Sequence, residues 1–137
     1  MKSNIIFLFL FLSICTFAQD SNSNVKYNFK YVYYMFTPRN GGPDKIIPTG
    51  RDCLVNYNTF YKKYFIGWTD QKGVTAGSYF YYVPSDIEKE NIIMANDDNG
   101  GKYVIINAVK EDETIILVDQ KFNKDFKIRI IVSNKEL

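Results

Sequence analysis

Few residues in this chain are equipped for chemistry, and the first fact about them is negative: the sequence contains no histidine. That removes the commonest general base, the Ser-His-Asp and Cys-His arrangements, and the commonest zinc ligand. Beyond the N-terminal leader described below, Cys53 is the one cysteine, so a structural zinc site is not expected. Three carboxylate clusters remain: Glu88 with Glu90, Asp97 with Asp98, and Glu111-Asp112-Glu113. Paired carboxylates alone can hydrolyse glycosides. All three clusters, however, fall in expected turns or a solvated helical turn, where charge needs no further role. Asn96-Asp97-Asp98-Asn99-Gly100 has the look of a calcium loop. Its third alternate position is Gly100, which has no side chain to coordinate with, so the segment reads as a tight turn. No nucleophile elbow, phosphate loop or dinucleotide fingerprint occurs. The expectation is a protein with no enzymatic activity, no cofactor and no metal.

The unusual resource is aromatic: eleven Tyr, eleven Phe and one Trp in 137 residues. Tyr27, Phe29, Tyr31, Tyr33, Trp68, Tyr79 and Tyr81 are the candidate ligand-binding residues. Such rings line apolar pockets or stack on a sugar ring, and tyrosine adds a polar tip for orientation. The same side chains also serve as plain core and cross-strand pairs.

Elements must position these rings. Residues 1–18, MKSNIIFLFLFLSICTFA, carry a basic start at Lys2, an apolar run from Ile5 to Ile14, and the small residues Thr16 and Ala18. That is the layout of a secretory signal cut between Ala18 and Gln19. The apolar run is about half the roughly 20 residues needed to span a bilayer, so no transmembrane segment is expected after signal removal. Cleavage before Cys15, leaving a lipid-anchored protein, is the lesser alternative, because Ile14 is bulkier than such a cut normally accepts. Residues 19–24 read as a flexible mature N-terminus and residues 25–137 as a single β domain.

The mature chain has a nearly balanced charge with no block of one sign, which gives no footprint for nucleic acid. A lone Cys53 beside Leu54 and Val55 reads as a small buried apolar residue rather than half of a disulfide. Short β-rich runs alternate with turn clusters. Over residues 25–37, Val25, Tyr27, Phe29, Tyr31, Tyr33 and Met35 share one strand face opposite Lys26, Asn28 and Lys30. Residues 38–50 follow as the longest irregular stretch, then a strand over 53–57. Tyr57, Phe60, Tyr61, Tyr64 and Phe65 are spaced as on a helix, but β-rich composition and a turn at Asp70-Gln71-Lys72-Gly73 favour a hairpin of 59–69 with 74–83. Ser85 and Glu88 form a helix-start pattern over 85–90. Strands over 92–94, 102–109, 114–121 and 126–133 complete the set, the last three joined by links of about four residues, as antiparallel neighbours require.

The fold expected is all-β: about eight short antiparallel strands in a meander, with at most one short helix near 85–90. It closes as a small barrel, lipocalin-like in architecture only, or packs as a two-sheet sandwich. Segments 103–109 and 115–118 are apolar on both faces, which calls for a second layer, a covering helix or a homodimer. The functional expectation is an exported, secreted or periplasmic non-enzymatic domain that binds a small apolar or aromatic molecule. The alternative is a structural or protein-interaction domain of the cell envelope, such as a dimer, an inhibitor or an accessory to another envelope protein. A filled barrel favours the second and an open pocket the first.

Overall fold

The computed structural model describes residues 23–137. The expected signal, its Ala18/Gln19 cut and Cys15 lie outside the described residues. Eight strands run in sequence order: β1 (Asn24–Pro38), β2 (Lys45–Asn58), β3 (Lys63–Asp70), β4 (Thr75–Val83), β5 (Ile92–Asp97), β6 (Lys102–Ala108), β7 (Thr114–Asp119) and β8 (Phe126–Ser133), with one helical turn, α1 (Val109–Asp112), before β7. Every strand pairs antiparallel with its sequence neighbours, and β1 pairs with β8 to close a barrel. The closed barrel, not the sandwich, is the solution this meander takes.

The interior is filled. Val32, Val55, Ile66, Ala95, Ile105, Ile115, Leu117 and Val132 meet at its centre, each at most 1% exposed. Eight strands enclose a space just wide enough for such side chains. Cys53 joins this core, as its apolar neighbours suggested.

Four local expectations are corrected. First, residues 45–50 are strand rather than loop, and the true loop is 39–44. Pro48 is tolerated there because β3 pairs with β2 only from Gly50 onward, leaving 45–49 on an edge where a missing N–H costs no ladder bond. Second, residues 85–90 form a turn. Ser85 Oγ accepts from Ile87 N at 3.3 Å, and Glu88 N donates to Ser85 O at 3.2 Å, while Glu88 is drawn away to Lys62 and Tyr82 instead of reaching back to cap a helix. The helical turn lies at 109–112 instead. Third, Thr59 to Lys62 is the β2–β3 turn rather than strand: Asn58 Oδ1 accepts from Phe60 N and Tyr61 N at 3.0 and 2.8 Å. Fourth, Asn24 already belongs to β1 rather than to a flexible N-terminus.

The fifth correction is the important one. Phe29 and Val32 both face the core, although strict alternation allows only one of them to do so. The switch coincides with two events. Asp52 on β2 adopts a left-handed φ of 50°, within a bulge against β3 between Arg51 and Leu54. At the same level β8 begins to pair with β1, at Tyr31 opposite Ser133. Tyr31 and Tyr33 therefore lie on the outer wall, stacked on one another at 6.1 Å.

Candidate functional site

The two barrel ends differ. One end carries both described chain termini together with the 59–62, 84–91 and 109–113 connections. There β1 and β2 run past the last residue of β8, and α1 lies at the mouth they leave. The result is a cup of about 700 Å³. Its floor is Ile93 and its walls are Tyr27, Tyr57, Tyr64, Asn107 and Val109, with Glu90, Lys110 and Glu111 at the rim.

Cross-strand register builds this wall. Tyr57 on β2 pairs with Tyr64 on β3, and the rings stack at 4.1 Å with 15° between planes. Asn107 Nδ2 donates to Tyr64 Oη at 3.1 Å. Asn107 is itself held at both ends: its Oδ1 accepts from Val109 N at 3.2 Å, and its own N donates to Asn91 O at 2.9 Å. Burial pushes both the Tyr57 and the Tyr64 hydroxyl upward from the ordinary tyrosine value, Tyr64 strongly. Both phenols are therefore neutral near neutral pH and serve as hydrogen-bonding groups, not bases.

A polar clamp stands beside the cup. Glu88 binds the Lys62 ammonium and the Tyr82 hydroxyl, and Lys62 Nζ sits 4.6 Å from the Tyr82 ring centre. Its two carboxylate hydrogen bonds, from Lys62 first and Tyr82 second, hold the Glu88 carboxyl below its usual range. It ties the 84–91 connection to the 59–62 turn. Glu88 and Glu90 thus do separate things. Asp97 serves its own turn, accepting from Asn99 N at 2.9 Å and Gly101 N at 2.7 Å. Among the described residues no group of three or more His, Cys, Asp or Glu could hold a metal ion.

The seven aromatic candidates do not share one interior. Tyr27 lines the cup and Phe29 packs in the core. Tyr31 and Tyr33 are outside the barrel interior, Tyr33 covered there to 4% exposure with its hydroxyl accepting from Leu137 N at 3.2 Å. Trp68 faces inward but at the opposite end of β3 from Tyr64, close against Gly50. Tyr79 and Tyr81 are on the outer wall, each 43% exposed. The wall residues missed by sequence reasoning are Tyr57, Tyr64, Asn107 and Val109. A turn at 59–62 would have revealed the first two, since it sets Tyr57 opposite Tyr64.

No protein-family model matches the chain, and neither a curated protein nor a solved structure matches it.

Proposed function

We propose that this chain is an exported, non-enzymatic binding protein that takes a small apolar or aromatic molecule into the cup at the barrel mouth. The observation carrying this reading is the pairing of an open space of about 700 Å³ with a tyrosine wall, on a barrel whose centre is otherwise filled. Pockets of that size with a few fixed polar groups suit small ligands. The Tyr57 and Tyr64 pair offers apolar ring surface, while the locked Asn107 and the rim side chains supply orientation. Export is supported by the signal-like layout of residues 1–18, which ends shortly before β1 begins.

The test is titration with an apolar fluorescent probe such as an anilinonaphthalene sulfonate. One probe should bind per chain and raise the melting temperature, because it binds the native state preferentially. Tyr57→Ala should weaken it about tenfold, the loss of one aromatic contact and its buried area. Binding unaffected by Tyr57→Ala refutes the cup.

A second reading, homodimerisation or contact with another envelope protein, is favoured by a separate observation. The outer faces of β6, β7 and β8 carry Val104, Ile106, Ile116, Val118 and Ile131, next to Tyr33 of β1. No second layer of strands covers them among the described residues.

A further inference from the structure

On the outer face of the same barrel end, the wall of β2, β3 and β4 holds a second arrangement with the marks of a site. Asn56, Phe65 and Tyr79 form one cross-strand row, and beside it Asn58 pairs with Lys63, whose ammonium lies over the Tyr81 ring. Phe65 does not stand up from the sheet. Its ring lies over the facing pair Gly67 and Gly77, so that a Cβ at Gly77 would come within 2.5 Å of it. Glycine weakens a strand interior and often marks a close approach. Here two of them let one ring lie flat. Tyr79 follows at 5.1 Å from Phe65 with 58° between planes, and Tyr81 at 6.2 Å from Tyr79 with 32°. The Lys63 ammonium lies 4.5 Å from the Tyr79 ring centre and 5.1 Å from that of Tyr81, and a ligand stacked there takes its place. Both tyrosines remain substantially exposed.

Beside this aromatic strip runs a groove of about 280 Å³ lined by Asn24, Asn56, Asn58, Tyr61 and Lys63 together with the rings. Asn24 and Asn58 bond to each other at 3.1 Å. The Asn56 Oδ1 is buried and has no hydrogen-bond partner among the described residues. A buried acceptor without a donor is a cost that folded proteins seldom leave standing. Cross-strand ring pairs alone would stabilise the sheet, but they require neither this orphaned amide nor the row of asparagines around it.

We propose that this strip binds a saccharide, specifically a β-linked gluco-configured chain. Its equatorial substitution leaves flat C–H faces that lie on exposed tyrosine rings, and its hydroxyls both donate and accept. One of them would satisfy Asn56, and its neighbours would bond to Asn58 and Lys63. This site is independent of the cup, and neither requires the other.

The probe is cellopentaose, followed by amide and side-chain NMR shifts of the purified protein up to about 20 mM, a range that captures millimolar affinity. Shifts should concentrate on Asn56, Phe65, Tyr79 and Tyr81 and leave Asn107 and Val109, across the cup, in place. Tyr79→Ala, at an exposed ring, should keep the melting temperature and lower affinity about tenfold or more. Asn56→Ala should lower affinity too. No shifts on the strip, shifts confined to the mouth, or unchanged affinity in Tyr79→Ala overturns the proposal.

Discussion

Cys53 is 1% exposed opposite Phe29, and burial pushes its thiol from 9.0 up to about 12. Since the thiolate is the reactive form, the native protein should resist iodoacetamide at about pH 8 and react once denatured. Rapid native alkylation would show that the interior opens. The same shift sets an alkaline limit. Below the unfolded value both states keep the proton, so stability is flat. Above it the unfolded chain ionises first, and stability falls until the folded thiol also titrates. Between about pH 7 and pH 10 this group should remove about 1.4 kcal/mol, readable from denaturant midpoints. The Cys53→Ala variant, less stable by roughly 1 kcal/mol at neutral pH from lost packing, should show a correspondingly shallower decline. At the cup, Tyr64→Phe takes away the acceptor for Asn107 Nδ2. It should cost about 1 kcal/mol in denaturant unfolding, and a fully neutral substitution would mean that the bond is not formed in solution. Cys53 was legible as a core residue because its neighbours Leu54 and Val55 are apolar. Tyr64 was not, because its partner Asn107 is 43 residues away and no local pattern announces the contact.

At the scale of elements, β-rich runs between turn clusters located most of the strands, and the bounds of β8, Phe126 to Ser133, came through unchanged. Period-two alternation misled where the ladder itself changes. On β1 the even series Val25 to Met35 looks uniform, yet the inward face passes from Phe29 to Val32. The switch coincides with the left-handed Asp52 on the neighbouring strand and with an irregularity of the β1–β2 ladder at Val32 and Tyr33, neither of which the β1 sequence betrays. The helix-start pattern at Ser85 and Glu88 failed for a similar reason, since Glu88 is claimed by Lys62 from another connection. The Asp52 bulge can be tested directly. A left-handed φ is tolerable for Asp and free for Gly, but strained for a β-branched side chain. Asp52→Gly should therefore change stability by less than about 0.5 kcal/mol, whereas Asp52→Val should cost about 1–2 kcal/mol. Equal effects in chemical denaturation would mean that the bulge does not depend on this backbone conformation.

At the scale of the whole molecule, one feature of composition is explained only in part by the barrel. Strands apolar on both faces were expected to need a second layer, and the structure supplies only one interior to fill. Ile105, Ile115, Leu117 and Val132 occupy it, which leaves Val104, Ile106, Ile116 and Ile131 for the outside. Large side chains of adjacent strands shield one another there, so that Ile131 is 6% and Val118 9% exposed. At the edge of this wall a groove of about 470 Å³ runs past Val104, Ile106 and Val118. Phe122 lines it while remaining 76% exposed, with the Arg39 guanidinium 5.1 Å from its ring centre. A contiguous apolar wall of this kind is the usual mark of an association surface, and a barrel closed by the β1–β8 pairing associates chiefly through its faces or ends. The expected outcome is a concentration-dependent dimer in sedimentation velocity, forming at about micromolar to tens of micromolar chain, as small interfaces do. Ile116→Lys places a charge at the centre of the wall without touching the interior pairs. It should return the protein to monomer at a cost to the isolated chain of about 1 kcal/mol, since Ile116 is half-buried beside Ile131. Phe122→Ser, at the edge, should weaken the dimer less. A wild-type protein that stays monomeric at about 100 µM, well above that range, removes the homodimer.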